Sequence, residues 1–226
     1  SHSDCLKHDT SPAHPESSRR LSAIEDRFLE TGLSDVLTYV DAPEVCRDHL
    51  LRVHTPRHVQ MVESMTPSNG YVNLDPDTIM CPESLTAARR AAGAVTAAVD
   101  LVVSGKMSSA FCGVRPPGHH ATPRRGMGFC VFNNVALAAR YAQTKHGIGK
   151  VLIVDEPMVG LDPIATKMVK EGFGVPGADV RIGADEHVRR MHRVDRGRVA
   201  GAAIDHRAEG CGAILYACRT QYLDAQ

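Results

Sequence analysis

The sequence carries no excess charge of either sign: 26 Lys plus Arg balance 26 Asp plus Glu over 226 residues. No global field therefore draws it to nucleic acid or to an anionic membrane surface. It also lacks a long hydrophobic run. The longest, Ala94 to Val103, is interrupted by Thr96 and Asp100 and is too short to span a bilayer. Ser1-His2-Ser3-Asp4-Cys5 contains no apolar signal region, and a first residue other than Met is expected of a trimmed or excerpted chain. The seven cysteines (Cys5, Cys46, Cys81, Cys112, Cys130, Cys211 and Cys218) form no Cys-x2-Cys pair and no zinc-ribbon spacing. Cys112 and Cys130 stand in apolar runs, where a reduced thiol acts as a small hydrophobe. That usage favours a reducing compartment, so a cytoplasmic location is expected, or a nuclear one in a eukaryote. No internal repeat or low-complexity tract is present. The length suits one α/β core that buries roughly 70% of its unfolded surface.

Punctuation along the chain predicts the elements. Ser22 to Thr31 reads as a short helix with Gly32 just past its end. Pro82-Glu83-Ser84 opens a helix to about Ser104, stopped by Gly105; its Ala, Val and Leu content predicts packing on one side against a sheet. Ala110 to Val114 reads as a short buried strand. Asn133 caps a helix from Asn134 to Lys145 that Gly147 closes, and Ile148 or Lys150 to Asp155 is the next strand. Strand, loop, helix, strand is a βαβ unit, which predicts parallel strands and a right-handed crossover. Beyond it, Gly172 to Gly177 reads as a linker. Arg189, Arg190, Arg193, Arg196, Arg198 and Arg207 follow among acidic residues, with no aromatic side chain among them to stack on bases. A solvated helix face or a disordered tail is the expectation there.

The chemistry is concentrated in Arg115-Pro116-Pro117-Gly118-His119-His120 and in Gly128-Phe129-Cys130-Val131-Phe132-Asn133-Asn134. Histidine moves protons near neutral pH, and a stiff Pro-Pro-Gly turn that sets two imidazoles side by side suits acid/base work. A bare His-His pair is more commonly a surface turn, and Phe129 on its own could equally be a core aromatic. The two strings together resemble the second class of histone deacetylases and their bacterial deacetylase and acetylpolyamine-hydrolase relatives. Other segments up to residue 155 are similar to the same family: His14-Pro15-Glu16-Ser17-Ser18-Arg19-Arg20-Leu21, Val53-His54-Thr55-Pro56-Arg57-His58, Leu74-Asp75-Pro76-Asp77-Thr78, and Lys150 to Asp155. Two departures stand out. Ser17-Ser18 replaces the usual Arg-Pro, and His58 stands where a tyrosine is usual.

The resemblance implies a three-layer, parallel α/β sheet of the arginase/deacetylase type, incomplete here at its C-terminal side. It implies a domain part at 1–155 and a divergent or foreign tail at 156–226. By the same resemblance His119 and His120 exchange protons with water and the leaving amine. Asp155 orients the first histidine and helps hold a monovalent cation. Gly128 offers its carbonyl to the substrate, Phe129 walls the channel, and the substrate is an acetylated lysine or polyamine. The family's zinc ligands follow its aspartate, but the aligned positions here hold Pro157 and Val159, which cannot donate to a metal. Zinc is therefore expected not to bind, and catalysis is expected to be impaired or absent.

A second resemblance competes from residue 151. Val151 to Pro157 followed by Gly160-Leu161-Asp162-Pro163 is similar to the Walker B strand and D-loop of ABC-type ATPases, and Thr220 to Asp224 faintly to their switch region. Such an enzyme also needs a phosphate cradle, Gly-x4-Gly-Lys-Ser/Thr. The only Gly-Lys pairs, Gly105-Lys106-Met107 and Gly149-Lys150-Val151, lack both flanking requirements. Three classes thus stand side by side: a deacetylase-type zinc amide hydrolase, an ABC ATPase fragment, and a non-catalytic remnant that binds a partner. A tail that supplies only one strand-like run, Ala213 to Tyr216, leaves the strand ending at Asp155 thinly covered and predicts an association-prone protein.

Overall fold

Helix α5 is the axis around which the chain is built. In the computed structural model, which describes residues 1–155, 202–205 and 214–217, it runs Ser84–Val103, and Gly105 follows it at φ +71°. It is preceded by α1 (Asp4–Lys7), α2 (Arg19–Glu30), a 3₁₀ turn at Leu33–Asp35, α3 (Arg47–Leu50), α4 (Pro56–Met65) and the hairpin β1 (Val72–Asp75)–β2 (Thr78–Met80). It is followed by β3 (Ser109–Cys112), α6 (Asn134–His146), β4 (Leu152–Asp155), β5 (Ala202–Asp205) and β6 (Ile214–Ala217).

Small side chains explain the position of α5. Ala87, Ala88, Ala91, Ala92, Val95, Ala98 and Val99 are all buried, on more than one face, so the helix is sandwiched rather than packed on one side as its composition predicts. One face joins Leu21, Ile24 and Phe28 of α2 with Cys112, Val135 and Tyr141. The other joins Leu50, Val59, Val62, Met80, Phe132 and Leu137. The extended segment before α3 crosses so closely that a methyl group added at Gly93 would lie 1.8 Å from the Pro43 carbonyl oxygen. Gly93→Ala should therefore destabilise the protein by about 1–3 kcal/mol, although alanine is the better helix former. Chemical denaturation measures this, and a variant as stable as the parent would show that the 42–45 segment can step aside.

Helix ends follow local chemistry. The Asn133 side chain accepts from the Ala136 N–H, and Gly147 takes φ +68°, as expected from the sequence. Helix α2 starts three residues earlier than expected. Helix α4, which the reading above does not foresee, has a strong start: Thr55 accepts from the His58 N–H and Pro56 is its first residue.

The sheet corrects the expectation of parallel neighbours. Its order is β3-β5-β6-β4, with β5 antiparallel to both β3 and β6 and only β4–β6 parallel. Strands β3 and β4 do run in the same direction, but two later strands lie between them. Strand β6 covers one edge of β4, pairing Leu152 with Ile214 and Asp155 with Ala217. Strand β5 has no counterpart in the expectation of a single strand-like run. Pro157, Val159, Gly160 to Pro163, the Gly172 to Gly177 linker, the arginine-rich segment and Thr220 to Asp224 lie outside the described residues.

Candidate active site

The loop that leaves β3 carries the His-His pair, and its root is a buried ion pair. Arg115 is fully buried and grips Glu16 with both prongs of its guanidinium, Nε to Oε1 at 2.6 Å and Nη2 to Oε2 at 2.7 Å, while Nη1 donates to the Cys5 carbonyl at 3.2 Å. Burial alone would raise the Glu16 carboxyl. Its hydrogen bonds to Arg115 and the charges of Arg115, His8 and Arg20 outweigh that and hold it below its usual range. His8, 2% exposed, lies with Nε2 3.7 Å from Glu16 and Nδ1 2.7 Å from the Ser84 hydroxyl. Burial pulls it down to about 4 against the attraction of Glu16, so it is neutral at pH 7. The Arg115–Pro116 peptide is cis.

Beyond that root the rings of His119 and His120, both half-buried, lie with centroids 4.1 Å apart at 55°. Gly118 is forced on the loop by crowding, since a Cβ there would lie 2.5 Å from the Asn134 backbone nitrogen. The loop closes through asparagines. Asn133 Nδ2 donates to the carbonyls of His119 (3.3 Å) and Ala121 (2.9 Å), and Asn134 Nδ2 to that of Pro116 (3.4 Å).

The Gly128–Phe129 turn is pressed against the same pair. Both residues have positive φ, +60° and +67°. Any Cβ at Gly128 would sit 2.7 Å from Cδ2 of the His120 ring, so glycine is required by conformation and by contact. The hairpin holds the turn in this strained shape: Asp77 accepts from the Gly128 N–H and Thr78 from the Phe129 N–H, each at 3.1 Å. The Phe129 ring meets His14 edge-on at 4.8 Å. The Cys130 thiol, which burial pushes up to about 12, donates to the Gly128 carbonyl at 3.2 Å.

His119, His120, Gly128 and Phe129 thus come together. Asp155 ends β4 at the edge from which the His119–His120 loop also departs; its side chain is outside the described part. The supporting residues Glu16, His8, His14, His54, Asp77 and Thr78 were not assigned roles by sequence reasoning. The signal for some was present, since Glu16 and Asp77 sit in the segments that carry the resemblance. Among the described residues no group of three His, Cys, Asp or Glu side chains is placed to hold a metal ion. A catalytic zinc needs three such ligands, so the described residues do not supply its donor set.

Comparison with known proteins matches this arrangement of segments. The histone deacetylase domain profile covers residues 14–156. A histone deacetylase-like amidohydrolase of Pseudomonas aeruginosa is 36% identical over 141 residues, 62% of this chain and 36% of that protein. The polyamine deacetylase HDAC10 of Mus musculus is 36% identical over 151 residues, 62% of this chain and 22% of its own length. The crystal structure of the HDA15 HD domain superposes with a TM-score of 0.63 at 37% identity, over 67% of this chain and 44% of that one. The chain therefore spans less than half of each of these three proteins. With the profile covering more than half of the sequence and the loop architecture in place, the chain belongs to the histone deacetylase family.

Proposed function

We propose that this chain is a deacetylase-type amidohydrolase by descent that keeps the acid/base and substrate-facing half of the site and has lost turnover. The observation that carries the reading is the His119–His120 pair at 4.1 Å with the Gly128–Phe129 turn packed on it. Two adjacent imidazoles can take a proton from water and return one to a leaving amine. Phe129 offers an apolar wall to the methylene chain of an acetylated lysine or polyamine, and the Gly128 carbonyl offers an acceptor to its amide N–H. Asp155 is assigned to orient the first histidine and to help hold a monovalent cation. The part resembling the family is 1–155, in a three-layer sheet of the arginase/deacetylase type, and 156–226 is a divergent segment.

Zinc does not fit. Its aligned ligand positions hold Pro157 and Val159, neither of whose side chains has a lone pair to give, and no step is assigned to the metal. On its cysteine usage the chain is assigned to the cytoplasm, or to the nucleus in a eukaryote, and on its balanced charge neither nucleic acid nor membrane is assigned as a partner. No helix among the described residues is long and apolar enough to cross a membrane.

Purified chain should contain no stoichiometric zinc by elemental analysis and should release no acetate from acetyl-lysine peptides or acetylated polyamines. One tightly held zinc per chain together with turnover would overturn the reading. Restoring Pro157→Asp and Val159→His should not by itself bring activity back, because a third ligand is still needed.

A further inference from the structure

Residues 54 to 58 grip the site loop at four points. The Thr55 N–H donates to the Pro123 carbonyl at 2.8 Å, and His58 Nε2 donates to the Val131 carbonyl at 3.0 Å. His54 supplies the other two, with Nδ1 3.1 Å from the Thr122 carbonyl and Nε2 2.9 Å from the Asn133 N–H. A carbonyl cannot donate and an amide N–H cannot accept, so these partners fix the tautomer: Nδ1 carries the proton and Nε2 the lone pair.

We propose that His54 is the positioning residue of the His119–His120 pair, a neutral imidazole locked as its Nδ1–H tautomer that ties Thr122 to Asn133. This inference rests on reading the pair as the acid/base element of the site. The connection is short. Asn133, held by its backbone N–H on His54, uses its own side-chain amide to hold the carbonyls of His119 and Ala121. One ring thus fixes both ends of the 122–133 loop and, through Asn133, the peptide that carries His119. The ring is 2% exposed and packed against His58 and Phe132, at centroid distances of 4.9 and 5.5 Å. Burial, with His58 beside it, pulls His54 down to about 4, which preserves the lone pair on Nε2 at neutral pH. Val59, fully buried in the same helix region, makes only apolar contacts and provides the comparison for a purely structural role.

The test is nitrogen NMR of the histidine rings in the full chain. In the wild type, His54 should show a protonated Nδ1 and a bare Nε2, unchanged between about pH 8 and about pH 6. His54→Ala should shift the titration midpoints of His119 and His120 by about half a pH unit or more. His54→Gln, whose amide oxygen can still accept from Asn133, should keep the midpoints close to their wild-type values, and Val59→Ala should not move them. A wild-type Nε2–H tautomer, unmoved midpoints in His54→Ala, or an equal shift in Val59→Ala would each overturn the proposal. If His54→Ala does not fold, His54→Asn is compared with His54→Gln, and equal midpoints in those two overturn it. If no His54 variant folds, the wild-type tautomer decides. These readouts follow loop geometry whatever chemistry the pair performs. Failure of the acid/base reading would show separately, as acetylated lysine leaving the His119 and His120 resonances unmoved.

Discussion

Arg115→Met should destabilise the chain by about 3–5 kcal/mol, because it leaves the Glu16 carboxylate buried without its main partner. The geometry makes this one of the two largest effects expected. The guanidinium is fully enclosed and both of its prongs are occupied by one carboxylate. An exposed pair such as Arg27–Glu30 should contribute about 0–1 kcal/mol. The double variant Glu16→Gln, Arg115→Met should lose markedly less than the sum of the two single variants, since the uncompensated charge is then gone. Urea unfolding of the four proteins measures the coupling. Strict additivity would mean that Glu16 reaches water or another cation once Arg115 is removed.

Acid should unfold the protein well before ordinary carboxylates are all protonated. His8 and His54 are each held at about 4 against an ordinary 6.5. Their neutral forms are the folded ones, so the unfolded chain binds more protons between those values. The stability they contribute is complete above pH 6.5, falls as pH drops towards 4, and changes little below that. Each shift corresponds to about 3 kcal/mol. Glu16, held below its usual 4.5, adds a further loss as pH falls through its lowered value. Denaturation curves at stepped pH should show unfolding coupled to the uptake of about two protons near pH 5. Replacing His54 with Gln should remove about one of them. Stability that is flat from pH 7 to pH 4.5 would falsify the assignment of neutral, buried rings to both residues.

Much of this was legible in the sequence because it is local. The Asn133 cap before α6, the Gly147 cap after it and the stop of α5 before Gly105 depend on residues adjacent to the elements they bound. The site pair and the Gly128–Phe129 turn lie within one short stretch whose residue order is distinctive. What escaped is what joins distant segments. Glu16 and Arg115 are 99 residues apart, and His54 meets partners 68 and 79 residues away. Nothing in a lone Glu or His announces such a partner. Helix α4 is different: Thr55-Pro56 is a plain local start signal, with Thr55 accepting from the His58 N–H and Pro56 as the first helical residue. Strand β5 escaped because Ala202 to Asp205 carries little β-branched or aromatic character.

The strand order also governs when the sheet can form. Strand β5 has its chain neighbour β6 on one side, but its other partner, β3, lies far back in the chain: Ser109 must wait for Asp205, and Cys112 for Ala202. A chain emerging from the ribosome can bury α2, α4, α5 and α6 against one another long before those residues are made. The four-stranded sheet closes only once β5 and β6 have been made: β3 pairs with a strand about ninety residues further along and β4 with one about sixty further along, the kind of pairing that is entropically costly and slow. During that interval the helices shelter a half-built floor, and anything that binds nascent chains has its longest opportunity at β3 and β4.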